Sequence, residues 1–206
     1  MSGNVQWMAR KGTQMATEAI AHTTTEIARR RFTVAEYQRM GEAGIFTEDD
    51  RVELIAGEIY QMSPIGVRHA RCVTRLTRIL SRQAGPDMLV GVQNPIYPGG
   101  ESAPQPDLAI VRDREPGDLW PTLADIILVI EVSDSTLAYD RGTKLPLYAA
   151  TGIAEAWIVD LAAATVERHT DPRGGLYHLL ARARSGESLA STVLPALAIP
   201  VADILK

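Results

Sequence analysis

The sequence is poor in cysteine and has no long apolar run. Its one cysteine, Cys72, cannot form an internal disulfide and lies in an apolar helical pattern, so we expect a buried core thiol. No apolar run approaches the roughly 18 to 20 residues that a membrane span needs. Residues 1–31 also lack the apolar centre of a signal peptide. We therefore expect a cytoplasmic protein without a membrane-spanning segment.

The sequence also lacks an excess of positive charge, because the net charge of its 206 residues is −4. No global basic field favours nucleic acid, so contact with a nucleic acid must come from a local patch. Hydrophobic residues make up 46% of the chain, which is enough for one domain with a sizeable core. We expect a flexible N-terminal extension over residues 1–31 and a single domain over residues 32–206.

A nearly unbroken, β-branched apolar run extends from Ile126 to Ser133. Such a run is typical of a central strand that helices bury on both faces. One carboxylate, Glu131, interrupts the run near its C-terminal end. An unpaired carboxylate in this place is costly or becomes protonated, so we expect Glu131 to face a metal ion, another cation or water at a cleft.

Helix and strand patterns surround this run. Thr33 and Glu36 form the capping-box pattern of a helix that extends to about Gly41, and residues 51–62 predict a hairpin that turns at Ala56-Gly57. The order strand, helix, strand over residues 126–160 predicts a parallel pair. The other predicted elements are a helix over 69–83, strands over 88–97, 106–111 and 156–160, a helix over 140–150 that Pro146 either kinks or delays to about Leu145, hairpin segments over 165–169, 176–181 and 187–192, and a terminal helical turn over 200–205.

The helix predicted over residues 69–83 has two distinct surfaces. One is apolar, and His69 lies on its side of the helix. The other is a stripe of arginines, which consists of Arg68, Arg71, Arg75, Arg78 and Arg82. Three interpretations of the stripe remain open: a solvated face, a subunit contact, or a surface that binds the DNA backbone.

Asp107, Glu131 and Lys144 form a set that is suited to phosphodiester hydrolysis. The two carboxylates come from adjacent predicted strands and can share a hard divalent cation, since Mg²⁺ takes oxygen ligands, usually one or two carboxylates with waters and phosphate oxygens. Such a metal lowers the pKa of a bound water. A lysine beside it, here Lys144 from the following helix, can orient the attacking water and stabilise the charge that develops on the phosphate.

Six motifs follow one another along the chain. They are Arg51-Val-Glu-Leu-Ile-Ala-Gly-Glu-Ile-Tyr-Gln-Met-Ser-Pro, His69 at the start of a helix, Pro106-Asp107, Ile130-Glu-Val-Ser-Asp-Ser-Thr, Asp140-Arg-Gly-Thr-Lys-Leu-Pro-Leu-Tyr and Gly152-Ile-Ala-Glu-Ala-Trp-Ile-Val-Asp. Together they resemble the PD-(D/E)XK, restriction-endonuclease-like superfamily, and in particular its bacterial Uma-type endonuclease-like branch. The resemblance covers roughly residues 32–205. It implies an α/β fold with a mixed central sheet, helices on both faces and an added N-terminal β-hairpin.

The sequence departs from the superfamily pattern at one position. The lysine that the pattern places two residues after the glutamate is Ser133 here. Side chains two residues apart point to the same face of a strand, so Ser133 occupies the place of the ammonium group. The resemblance implies that Lys144 reaches the same space from the next helix. If Lys144 pointed away, the fold would remain and the catalysis would not follow.

The predicted function is that of a Mg²⁺- or Mn²⁺-dependent endonuclease that acts on DNA. Asp107, Glu131 and Lys144 are its predicted catalytic residues, and Asp107 and Glu131 its metal ligands. Glu53 is either a further metal or water ligand or a surface-strand carboxylate. His69 is either a hydrogen-bonded core histidine or a residue that contacts the substrate phosphate or holds Glu53.

Two other interpretations stand beside this one. The first is a catalytically inactive nuclease-fold module for binding or assembly, which Ser133 in the lysine position and the acidic net charge both favour. The second is a nuclease-like subunit that acts only with a partner protein. We also expect a homodimer, because the arginine stripe and the terminal hairpins offer surfaces for contact.

Overall fold

A computed structural model describes residues 28–47, 49–114 and 120–206. Residues 31–206 form one compact unit, which is the unit described below. The predicted flexible extension at residues 1–31 falls, except for its last four residues, outside the described ranges. Within those ranges no helix is both long enough and apolar enough to cross a membrane.

The unit begins with a short helix and a hairpin. Helix α1 (Val34–Glu42) starts at Thr33, and the predicted capping box with Glu36 is present. Strands β1 (Val52–Ile55) and β2 (Glu58–Gln61) pair antiparallel as a separate two-stranded sheet. Their turn residues both have positive φ, 49° at Ala56 and 80° at Gly57, as a two-residue hairpin turn requires. The predicted hairpin is therefore confirmed.

The main sheet in the described unit has six strands in the order β3-β4-β5-β6-β7-β8. Only β5 and β6 are parallel, as the strand, helix, strand pattern predicts, and every other neighbouring pair is antiparallel. The mixed sheet of the predicted α/β fold is thus confirmed. The strands are β3 (Met88–Val92), β4 (Leu108–Arg112), β5 (Ile126–Ser133), β6 (Glu155–Asp160), β7 (Thr165–Arg173) and β8 (Leu176–Arg184).

Helices cover both faces of this sheet. On one face, α2 (Val67–Gln83) and the short C-terminal helix α5 (Val201–Leu205) share a core with β5. The β5 side chains in this core include Leu128, Ile130 and Val132. On the other face, α4 (Leu145–Thr151) shares a second core with Ile126 and Val129. All eight residues of β5 are buried, which confirms it as the central strand. Two short strands, β9 (Ser188–Ala190) and β10 (Ala198–Pro200), pair antiparallel before α5.

Several strand boundaries differ from the sequence-based prediction, and two of these differences concern β3 and β4. Strand β3 ends at Val92 rather than Tyr97, because Gln93 has a positive φ of 52° and leaves the extended conformation. Strand β4 starts at Leu108, so Asp107 precedes the strand instead of opening it. Asp107 thereby lies at a bend just before the strand.

The crossover between β5 and β6 is not a regular helix. A short helical turn, α3 (Leu137–Tyr139), leads into a π-helical turn over Asp140–Lys144, which continues into α4. The regular helix therefore begins at Leu145, the second of the two predicted outcomes for Pro146. Pro146 lies in the first turn of α4, where its missing N–H is tolerated. Single π-helical turns are rare and occur often at functional sites.

Candidate active site

Asp107 and Glu131 meet at one end of the sheet. Leu108 pairs with Ile130 in the antiparallel register of β4 and β5, and one further step along this register brings Asp107 beside Glu131. The backbone N–H of Val132 donates a 2.8 Å hydrogen bond to Oδ2 of Asp107. Both carboxylates line one cleft of about 380 Å³. The predicted convergence of two acidic groups from neighbouring strands is therefore present.

Three donors surround the Asp107 carboxylate: the backbone N–H of Val132 described above, the His69 ring and the Gln93 side-chain amide. Nε2 of His69 lies 3.0 Å from Oδ2, and the Gln93 side-chain amide donates to Oδ1 at 3.2 Å. Burial opposes the charge of Asp107, but the hydrogen bonds from His69 and Val132 outweigh it and lower the pKa of Asp107. The carboxylate is therefore ionised and fixed in direction. His69 contacts Asp107 rather than Glu53, and its buried Nδ1 has no hydrogen-bond partner within the described residues.

Glu131 is an almost fully buried carboxylate with 3% relative exposure. The Tyr148 hydroxyl donates to Oε1 at 2.5 Å, and Nζ of Lys144 lies 3.1 Å from the same oxygen. Burial, together with the nearby charges of Asp107 and Asp140, raises the pKa of Glu131 to about 8 against the opposing effect of Lys144. The site therefore holds more negative charge than its one ammonium group neutralises, and it favours an additional proton or cation.

Lys144 points into the site from the end of the π-helical turn. Its ammonium group contacts Glu131, Oε2 of Glu53 at 3.3 Å and the carbonyl oxygen of Gln105 at 3.1 Å. Burial alone would lower the pKa of Lys144, but the surrounding carboxylates, Glu131 and Glu53 first, raise it. The lysine is thus a buried, charged ammonium group, as the migrated-lysine interpretation requires.

Glu53 lies in the same cleft with 0% exposure, which excludes the surface-strand interpretation. Its Oε2 accepts from the backbone N–H of Gln105 at 3.0 Å, and its Oε1 accepts from the Tyr139 hydroxyl at 3.0 Å. Together with Lys144, these donors engage both carboxylate oxygens. Glu53 therefore stands as the second counter-ion of Lys144.

Ser133 has a different partner from the lysine that it replaces. Its hydroxyl donates a 2.7 Å hydrogen bond to Oδ2 of Asp140, which also accepts from the Thr136 hydroxyl at 2.7 Å. Asp140 is the first residue of the π-helical turn, and Lys144 is the last. Ser133 thus holds in place the π-helical turn that carries Lys144.

The comparison with known proteins decides the family. The model of the Uma2 family, described as "Putative restriction endonuclease", matches residues 34–202. The chain belongs to the Uma2 family. A crystal structure of a "putative nuclease belonging to DUF820" from Anabaena variabilis has the same fold, with a TM-score of 0.65 and 14% sequence identity over 84% of this chain and 97% of that chain. No curated protein matches the chain. The predicted restriction-endonuclease-like fold and Uma-type membership are confirmed, and the family supports a nuclease-like function.

Several residues of this Uma2 site were not predicted from the sequence, among them Gln93, whose side-chain amide donates to Asp107. The Tyr148 side chain is fully buried, and its hydroxyl contacts Glu131. Its position four residues after Lys144, on the same helix face, was an available signal. Tyr139 precedes Lys144 by five residues, a spacing that a π-helical turn brings to one side. Gln105 contributes backbone atoms, which leave no trace in the sequence.

The donor set of this Uma2 site suits one hard cation. Within the described ranges, no group of three or more histidine, cysteine, aspartate or glutamate residues is arranged to hold a metal ion. The two carboxylates of Asp107 and Glu131 supply only oxygen donors, and Mg²⁺ is commonly held by one or two carboxylates with water and phosphate oxygens in its other positions. The raised pKa of Glu131 also indicates that the cleft favours a positive charge.

Proposed function

We propose that this protein hydrolyses phosphodiester bonds in DNA with Mg²⁺ or Mn²⁺ as its cofactor. The observation that carries the proposal is the approach of Lys144 to Glu131, at 3.1 Å, in a cleft that Asp107 also lines. These are the three side chains that the reaction needs, and they come from three different elements. The Uma2 family description supports the same class of reaction.

Asp107 and Glu131 would hold the cation between the ends of β4 and β5. A bound divalent cation lowers the pKa of its water and neutralises charge on the scissile phosphate. The chain itself fixes the directions of both carboxylates, because Val132 and His69 hold Asp107 while Tyr148 holds Glu131. Such preorganisation matters because electrostatic stabilisation is strongest where groups need not reorient during the reaction.

Lys144 would stabilise the negative charge that builds on the phosphate and orient the attacking water. Lys144 is only 3% exposed, so little water screens the interactions of its ammonium group. Glu53 would act as a positioning residue, since it contacts the ammonium at 3.3 Å while the Tyr139 hydroxyl and the Gln105 N–H hold it in place. In this proposal Glu53 positions Lys144 and does not bind the metal.

Cleavage of supercoiled plasmid and of single-stranded DNA tests the proposal directly. The wild-type protein should nick or cut DNA in millimolar Mg²⁺ or Mn²⁺, and EDTA should stop the reaction. Asp107→Ala and Glu131→Ala should abolish cleavage, whereas Asp203→Ala, which removes a half-exposed carboxylate on α5, should leave it intact. Equal cleavage by the wild type and both site variants would indicate a contaminating nuclease and overturn the proposal.

A second candidate function is a catalytically inactive binding or assembly module with the nuclease fold. Two observations favour it: Ser133 in the lysine position, and the absence of a group of three metal-ligating side chains within the described ranges. Calorimetric titration with Mn²⁺ separates the two candidates. Binding that Asp107→Ala removes supports the nuclease, and no binding at millimolar Mn²⁺ supports the module.

We also propose that the protein forms a homodimer through the hairpin of strands β7 and β8. Strand β8 is at the edge of the main sheet and exposes three leucines, Leu176, Leu179 and Leu180, at 60%, 60% and 55%. An exposed apolar edge strand favours pairing with another chain. Light scattering should give the dimer mass for the wild type and the monomer mass for Leu179→Asp, and a monomeric wild type would reject this assembly.

A further inference from the structure

The outer face of α2 is strongly basic in a protein whose net charge is −4. The 17 residues of α2 include five arginines and no acidic residue. The helical repeat places the arginines opposite the buried side that packs on the sheet through Leu76 and Leu80. The stripe is therefore a local basic surface of the kind that an acidic protein needs in order to contact a polyanion.

Three arginines of the stripe are exposed and lack an ion pair within the described part of the chain: Arg71, Arg78 and Arg82. Arg68 reaches Asp134, and Arg75 donates to the carbonyl oxygen of Ile204. Like charges spaced three and four residues apart on a helix destabilise it. An anionic partner along the stripe would remove the repulsion that remains at Arg71, Arg78 and Arg82, for which the described part of the chain supplies no acidic partner.

The stripe begins at the candidate active site. His69, in the first turn of α2, contacts Asp107, and Gly66 before it lines the cleft. From Arg68 the stripe extends to Arg82, roughly 20 Å at about 1.5 Å per helical residue. A polymer whose phosphate enters the cleft can therefore place its neighbouring phosphates along α2.

We propose that the arginine stripe of α2 binds the phosphate backbone of a nucleic acid on one side of the cleft. The proposal rests on the proposed function for the identity of the polyanion. It selects one of the three interpretations of the stripe, and it assigns to α2 a contact that depends on charge and not on base sequence. The bound strand would extend well beyond the phosphate that is hydrolysed.

Binding measurements in the cleavage-blocked Asp107→Ala protein test the stripe. Fluorescence anisotropy with labelled duplex and single strands of about 30 nucleotides, in EDTA, gives the affinity over a series of salt concentrations. Adding Arg71→Glu and Arg78→Glu should weaken binding by about tenfold or more and reduce the slope of log K against log salt by about two for duplex DNA. Arg184→Glu, at an exposed arginine on β8 without a described ion pair, is the matched control and should leave both values nearly unchanged.

The glutamine pair Arg71→Gln and Arg78→Gln serves if charge reversal unfolds the helix, and it should produce a smaller loss of the same kind. Unchanged DNA affinity in the glutamine pair overturns the proposal, as does equal weakening by Arg184→Glu. A change from dimer to monomer without a change in DNA affinity overturns it in favour of a subunit contact. If the stripe variants weaken binding while the wild type cuts no DNA, the stripe stands and the proposed hydrolysis fails.

Discussion

Lys144 and Glu131 lie 3.1 Å apart although they come from a π-helical turn and a β-strand. The strand position that would place a lysine beside Glu131 holds Ser133, which instead hydrogen-bonds to Asp140 at the start of that turn. The π-helical turn thus carries the ammonium group that the superfamily pattern places on the strand, and the strand carries the hydroxyl group that holds the turn. This arrangement predicts that the site depends on the geometry of the crossover as much as on the strand.

Replacing Lys144 with methionine should reduce DNA cleavage by about 100-fold or more, because the variant lacks the ammonium group that is proposed to stabilise charge on the phosphate. Removal of the Lys144 ammonium group also leaves the buried carboxylates of Glu53 and Glu131 without their partner. Breaking a buried pair in this way costs about 3–5 kcal/mol. Mn²⁺ binding, measured by calorimetry, should remain because Asp107 and Glu131 are still present.

A second variant separates catalysis from stability at this position. Combining Lys144→Met with Glu53→Gln removes one of the two buried carboxylates that lose their partner. The double variant should therefore unfold at a higher temperature than Lys144→Met alone. It should remain inactive, whereas Lys206→Met, at an exposed lysine, should retain full cleavage. Recovery of cleavage in the double variant would show that Lys144 contributes only to stability.

Ser133→Ala should slow cleavage while leaving DNA affinity unchanged. The variant removes one of the two hydroxyl donors of the buried Asp140, at a cost of about 1 kcal/mol in the free energy of unfolding. The expected signature is a lower kcat at an unaltered KM, because Lys144 loses its fixed position. Ser188→Ala, at an exposed serine on β9, is the control. An unchanged kcat in Ser133→Ala would show that the crossover holds its shape without this bond.

The parts of the fold that local patterns specify could be predicted from the sequence. The capping box at Thr33, the hairpin turn at Ala56-Gly57 and the apolar face of α2 each depend on residues a few positions apart. The convergence of Asp107 and Glu131 followed from the order of adjacent strands and from the resemblance to known nucleases. These features need only short-range chemistry and topology.

The π-helical turn could not be predicted, because distant residues hold it. Ser133 on β5 holds Asp140 at its start, and Glu167 on β7 holds Arg141 next to it. The burial of Glu53 could not be predicted either, because the hairpin has no covered face until the crossover packs on it through Tyr139. Tertiary contacts, rather than local preference, fix these parts of the site.

Metal affinity should increase with pH up to about pH 8. A carboxyl group whose pKa is raised keeps its proton below that value, and the proton must leave before the oxygen ligates a cation. The apparent Kd for Mn²⁺ should therefore tighten by up to about tenfold per pH unit below about pH 8 and level off above it. The lowered pKa of Asp107 means that this residue adds nothing to the slope in that range. Calorimetry across this range gives the profile, and a flat profile would contradict the role of Glu131.

Acid should loosen the crossover through Glu167. This buried carboxylate accepts from Arg141 of the π-helical turn at 2.7 Å, from Arg182 and from His169. Burial opposes its charge, but these hydrogen bonds outweigh burial and lower the pKa of Glu167 to about 2. A lowered folded-state pKa stabilises the fold above the ordinary value near 4.5, and this contribution is lost as the pH falls toward about 2.

Glu167→Gln should therefore unfold at a lower urea concentration than the wild type at neutral pH, and the difference should shrink near pH 3, which is about one unit above the lowered pKa. Glu42→Gln, at an exposed position at the end of α1, should behave like the wild type at both pH values. Because Arg141 belongs to the same π-helical turn as Lys144, the Glu167 variant should also cleave DNA more slowly at neutral pH. An equal loss of stability at both pH values would show that Glu167 acts through packing and not through its charge.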